Sequence, residues 1–260
     1  MLRVIKMKMM KILLAAVIIF FTYSEIYAGP KITVAVAANV QYAMEELKAE
    51  FKKETGIDVT VIIGSSGQLT AQIKEGAPYD IFISADMKYP EALFKEKAAI
   101  DSPRVYAMGS LVVWTTGKGI TFDKKLNALL SKKISKIAIA NPRTAPYGSA
   151  AVEALKHFGI YGKVKNKLVY GESIAQVNQF TYGSAVDAGF TAKSVVLSPQ
   201  MKGKGTWMVI DPGSYKSIEQ GCVILKYGFD NHRAESKKFF DFLFSQKAKN
   251  ILLKYGYILK

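Results

Sequence analysis

Short apolar runs rich in β-branched residues alternate along this chain with apolar stripes of helical period, and that alternation decides the fold class. The first run covers residues 31–37. Val40, Met44, Leu47 and Phe51 follow, spaced four, three and four, so they share one face of a helix. Glu45 and Glu46 fall early in that helix and Lys52 and Lys53 late, as its dipole prefers. Gly56 supplies a stop. Further strands are expected over 57–63, 79–84, 110–116, 136–140, 167–170, 186–191 and 222–227. Helices are expected after Ser66 and over 90–97, 149–158, 174–182, 233–244 and 246–255. Strands that alternate with helices predict an α/β architecture. No tandem repeat and no low-complexity linker interrupts the pattern, so two lobes would have to be joined by strands.

Residues 1–28 are set apart. Arg3, Lys6, Lys8 and Lys11 lead into an uninterrupted apolar run over 12–21, followed by Thr22, Ser24, Glu25 and small Ala28. This is the layout of a signal peptide, and the run falls short of the roughly 20 apolar residues that a spanning helix needs. Cleavage after Ala28 and export to the periplasm are therefore expected, and no Cys near the cut suggests a lipid anchor.

Beyond residue 28 the chain keeps 32 Lys and Arg against 20 Asp and Glu. Such a surplus suits nucleic acid, membrane surfaces or small anions. Export argues against nucleic acid, and the lysines are scattered rather than gathered in a stripe. The single Cys222 lies in an apolar segment and has no internal partner. His157 and His232 lack metal-ligand spacing and read as structural. Asp80 reads as a structural residue at the head of a strand and Asp86 as a helix cap.

Four strand-to-helix junctions carry small or polar residues at the helix start: Asn39, Ser66, Tyr147-Gly148 and Ser173-Ile174. A helix start presents unpaired N–H groups and a partial charge of roughly +0.5. Four starts converging on a cleft would supply about +2, enough to balance a dianion with no Lys or Arg in contact. From periodicity alone, ordinary capping by Asn and Ser, with Asn39 as an N-cap and Ser66 in the same kind of position, is the simpler reading. Enzyme signatures are missing: Gly64-Ser-Ser-Gly67 is not a nucleophile elbow, and no zinc, phosphate-loop or dinucleotide motif occurs, so no catalytic residue is assigned.

Three segments carry a family resemblance: Lys31-Ile-Thr-Val-Ala-Val-Ala-Ala-Asn39, Gly64-Ser-Ser-Gly-Gln-Leu69, and Gln72-Ile-Lys-Glu-Gly-Ala-Pro-Tyr-Asp-Ile-Phe-Ile-Ser-Ala-Asp86. With Asn141-Pro-Arg-Thr-Ala-Pro-Tyr-Gly148 and the ending over 248–256, they closely resemble the periplasmic molybdate-binding proteins. The resemblance implies an α/β, two-lobed class II periplasmic binding protein fold. Lobe one would comprise 29–109 plus 220–260 and lobe two 110–219, joined by two crossover segments. It implies an oxyanion, molybdate or tungstate, held by Asn39, Ser66, Tyr147 and Ile174, with no side chain ligating the metal directly. Ala192 stands where some members place a further Tyr. The resemblance further implies a monomer without cofactor or catalysis that hands its ligand to the membrane permease of an ABC importer.

Two rivals remain at this level. One is another ligand, such as sulfate, phosphate or ferric iron. The other is an exported hydrolase with Ser66 as nucleophile. Recognition by helix starts also predicts that Tyr147→Ala, which keeps the main-chain N–H, weakens binding only modestly.

Overall fold

The structure, a computed structural model, describes residues 29–259; the expected signal peptide lies outside the described residues. Two five-stranded mixed sheets, each flanked by helices, form two lobes. The first sheet contains β1 (Lys31–Ala37), β2 (Asp58–Gly64), β3 (Ile81–Ile83) and β4 (Arg104–Gly109). The second contains β5 (Leu111–Thr115), β6 (Ile137–Ala140), β7 (Leu168–Gly171), β8 (Ala188–Ala192) and β9 (Thr206–Val209). The last strand, β10 (Ile218–Ile224), returns to the first sheet.

The two sheets share one plan. Their orders are β2-β1-β3-β10-β4 and β7-β6-β8-β5-β9. In each, three parallel strands are followed by one that runs antiparallel to both its neighbours. That antiparallel strand, β10 or β5, is the one that has just crossed from the other lobe. The crossovers are therefore Ser110, between β4 and β5, and residues 210–217, between β9 and β10. They lie side by side, because Ile210 N–H donates to the Leu111 carbonyl and Leu111 N–H to the Tyr215 hydroxyl, at 2.9 and 3.1 Å.

Helix α1 (Gln41–Thr55) buries Met44, Leu47 and Phe51 of the expected stripe together with Ala43, and ends at Gly56 in the left-handed region, φ 73°. Next come α2 (Ser66–Lys74) and α3 (Lys88–Lys95). Lobe two carries α4 (Pro146–His157), α5 (Tyr161–Val164), α6 (Ile174–Tyr182) and α7 (Lys193–Val196). The chain closes with α8 (Lys226–Asn231), α9 (Arg233–Phe242) and α10 (Gln246–Lys254). No helix among the described residues is long and apolar enough to cross a membrane.

Several features differ from the sequence expectation, the unanticipated short helices α5, α7 and α8 among them. Strands β4 and β9 were not anticipated, since β9 is mostly exposed at a sheet edge and offers little alternation. Strand β10 starts at Ile218 rather than near 222, because pairing with β4 draws in Glu219 and Gln220. Helix α4 starts at Pro146, not 149, since proline needs no N–H partner in a first turn.

Asp80 is buried at the head of β3, accepting from Thr33 N–H at 2.6 Å and lying 2.7 Å from His232 Nδ1. Asp86 Oδ1 accepts from Tyr89 N–H in the first turn of α3. Cys222 is a buried thiol whose pKa burial pushes well up.

Candidate functional site

Ligands of open α/β sheets gather outside the carboxyl ends of the parallel strands. Four such ends lead into helices here. Strand β1 runs through a 3-10 turn (Ala38–Val40) into α1, and β2 runs into α2. In lobe two, β6 leads to α4 and β7 to α6. The four starts meet at one small cavity between the lobes, lined by Asn39, Ser66, Tyr147 and Ile174 with Ala37, Ala38, Ser65, Ala85, Ala145 and Pro146. Its volume is about 10 Å³, near the room one water-sized group takes.

Each site residue reaches the cavity differently from simple capping. Asn39 is not a helix cap. It sits inside the 3-10 turn, buried, and its side chain turns to Gln220 Oε1 at 2.8 Å and the Tyr257 hydroxyl at 3.2 Å. Ser66 is the first residue of α2, whose cap is Ser65 through a capping box with Gln68. The Ser66 hydroxyl oxygen accepts the Ala85 N–H at 3.0 Å, which leaves its own O–H free to donate. Tyr147 is the second residue of α4 and Ile174 the first of α6, with Ser173 extended before it. The N–H groups of Ser66, Tyr147 and Ile174 belong to first turns, where no carbonyl four residues back is in helical position to receive them.

No lining residue is charged. An anion there would meet N–H groups, a hydroxyl and the positive ends of helices, while a cation would meet the same dipoles with the wrong sign. An apolar ligand would leave those buried donors unpaired, at about 1–3 kcal/mol each. The arrangement therefore suits a compact anion with several acceptor oxygens.

The lobes touch around the cavity. Gly67 N–H donates to the Thr144 carbonyl at 2.8 Å, the Tyr89 hydroxyl to the Arg143 carbonyl at 3.1 Å, and the Ser194 hydroxyl to the Asn39 carbonyl at 2.7 Å. A Cβ on Gly67 would lie 2.9 Å from Thr144 Cα and 2.8 Å from the Tyr89 hydroxyl. Gly67→Ala is therefore expected to wedge the lobes apart and to cost about tenfold in anion affinity, the worth of one inter-lobe hydrogen bond. Calorimetry would measure the loss and small-angle scattering a larger radius of gyration. An unchanged radius with unchanged affinity would show that this contact is not part of closure.

Ala192 ends β8 and is buried, and it does not line the cavity. Two residues on, Ser194 donates to the Asn39 carbonyl, which also accepts from the Tyr257 hydroxyl at 2.9 Å. Sequence spacing pointed to neither residue, nor to Gln220, because all three reach Asn39 from more than 150 positions away.

The Tyr147 side chain also departs from expectation. Its ring is buried and its hydroxyl accepts from Gln220 Nε2 at 3.1 Å, so Tyr147→Ala would empty a packed position as well as keep an N–H. Burial holds its phenol well above the usual tyrosine range. No group of three or more His, Cys, Asp or Glu suited to a metal occurs among the described residues. A hydrolase reading of Ser66 lacks its base: His232 pairs with Asp80, and His157 packs against Phe158.

Comparison with known proteins identifies the family. The bacterial extracellular solute-binding protein family matches residues 32–258. The chain is 40% identical to a molybdate-binding protein of Azotobacter vinelandii over 234 residues, 88% of this chain and 90% of the relative. It is 38% identical to one of Rhodobacter capsulatus over 232 residues, 89% of each. The solved structure of the Azotobacter vinelandii periplasmic molybdate-binding protein superposes with a TM-score of 0.83 at 34% identity, covering 88% of this chain and 99% of that one. The chain thus belongs to the bacterial extracellular solute-binding protein family, with the two-lobed α/β fold of a binding protein rather than an enzyme.

Proposed function

We propose that this protein captures molybdate or tungstate in the inter-lobe cavity, in the periplasm, and delivers it to the membrane permease of an ABC importer. The observation that carries the reading is a charge-free cavity where four helix starts converge, in a chain about two-fifths identical to a molybdate-binding protein. Asn39, Ser66, Tyr147 and Ile174 hold the oxyanion, chiefly through main-chain N–H groups and the Ser66 hydroxyl. The metal itself meets no protein side chain, and no cofactor takes part. The protein acts as a monomer and binds no nucleic acid. Lobe one comprises 29–109 with 220–260 and lobe two 110–219. The division of strands between the two sheets supports these bounds, although β10 already starts at Ile218.

Selection by size would be set by how the lobes close around the anion. Sulfate, with shorter bonds to oxygen, would leave donors on one lobe out of reach, so a second tetrahedral anion is disfavoured by geometry rather than charge. In a thermal-shift experiment, molybdate or tungstate at 100 times its dissociation constant should stabilise the fold by about 2.7 kcal/mol. Sulfate and phosphate at the same concentration should shift the melting temperature far less. Equal shifts from all four anions would sink size selection, and no shift from any would sink the oxyanion reading.

A further inference from the structure

Two of the cavity residues, one in each lobe, share a buried partner that helix-start recognition does not require. Gln220, on β10, is fully buried. Its Oε1 accepts from Asn39 Nδ2 at 2.8 Å and from the Tyr106 hydroxyl at 2.7 Å, and its Nε2 donates to the Tyr147 hydroxyl at 3.1 Å. Asn39 precedes α1 in lobe one, and Tyr147 starts α4 in lobe two. One planar amide therefore spans the lobes at the crossover, its oxygen accepting on the lobe-one side and its NH2 donating to lobe two.

The backbone is shaped for it. The register of β10 against β4 shifts between Gln220 and Gly221, where Tyr106 is the extra residue on β4, an irregularity of the kind that re-aims a side chain, here the Tyr106 ring whose hydroxyl meets Gln220. Beside the first crossover, a Cβ on Gly109 would lie 2.1 Å from the Tyr147 hydroxyl and 2.5 Å from Gln220 Nε2. The Tyr147–Gln220 bond thus exists only because residue 109 has no side chain. On the Asn39 side, Oδ1 is buried without a hydrogen-bond partner, and the Gln220 and Tyr257 bonds to Nδ2 orient the amide.

We infer that Gln220 is a positioning residue that couples anion capture to lobe closure, holding the Asn39 and Tyr147 helix starts in the relation that lets both reach one anion. The inference rests on the oxyanion reading above for its ligand, but its inter-lobe link can be tested without one.

The test uses the full mature chain with three substitutions, Gln220→Met, Gly109→Ala and Tyr106→Phe, and tungstate as probe. Gln220→Met and Gly109→Ala should weaken tungstate binding by roughly tenfold or more, mainly through faster release, since each removes the inter-lobe bond. Both should enlarge the radius of gyration in anion-free solution. Tyr106→Phe removes a bond to the same Gln220 oxygen within lobe one, so it should lower the melting temperature while leaving affinity and radius near the parent's. Gln220→Met binding as tightly as the parent with an unchanged radius would overturn the inference. So would Tyr106→Phe losing as much affinity as Gln220→Met, because the cluster would then act through stability alone. A parent that binds no tungstate would instead overturn the oxyanion reading, and the anion-free radii would still decide whether Gln220 links the lobes.

Discussion

Ser66→Asp is expected to weaken tungstate or molybdate binding by about three orders of magnitude or more. Ser66 is buried at the first position of α2, where its oxygen accepts the Ala85 N–H. An aspartate can still accept that N–H, and a negative charge at a helix start is favourable, so the fold should persist. The same carboxylate would stand in the cavity as a fixed anion. Two unit charges about 4 Å apart repel by about 4 kcal/mol at an effective dielectric of ~20, and a dianion doubles that. Protonation of the aspartate limits the loss, which is why the floor is about a thousandfold rather than the full Coulomb figure. Ser66→Ala removes only the hydroxyl, a bond to a charged partner worth roughly 1.5–3 kcal/mol, or about ten- to a hundred-and-fifty-fold. Calorimetry after circular dichroism would rank the two. A Ser66→Asp protein that binds tungstate like the parent would place the site elsewhere.

The second large effect separates main-chain from side-chain recognition. Ile174 is the first residue of α6, and Ser173 before it is extended, φ −148° and ψ 172°, the conformation a residue preceding proline prefers. Ile174→Pro therefore fits the helix and removes one N–H donor. It should cost roughly 1.5–3 kcal/mol of binding, up to about a hundred-and-fifty-fold. Ile174→Ala keeps the donor but empties a buried side chain, so it should lower stability by about 2–5 kcal/mol while sparing affinity. The pair thus crosses over: alanine is worse in a denaturant titration and proline worse in calorimetry. If alanine instead loses more affinity than proline, the side chain rather than the N–H holds the ligand.

The individual elements were legible in the sequence wherever one face is buried. The stripe of Val40, Met44, Leu47 and Phe51 and the bounds of α6 follow from local period, because burial of one face imposes it. Where burial does not alternate, the signal fades. Strand β9 is mostly exposed, and β10 is buried at six of its seven positions, so pairing rather than pattern sets its start. The four helix starts could be named from Asn39, Ser66, Tyr147 and Ile174, but the assignment of Asn39 as a cap was wrong. Its amide is claimed by Gln220 and Tyr257, 181 and 218 positions away, and no local pattern records such partners.

By itself, then, the sequence determined the α/β class, most of the strands and longer helices, and the neutral, small or polar residues that begin four of the helices. It did so because side-chain period and capping chemistry act over a few residues. Only the tertiary structure decided that those four starts meet at one cavity, since their convergence depends on two crossovers at Ser110 and 210–217 that pair side by side. Only it revealed that Gly109 is bare to make room for the Tyr147–Gln220 bond, a requirement set by atoms from three distant segments. Interactions between such segments carry no periodicity, so their geometry exists only once the chain has folded.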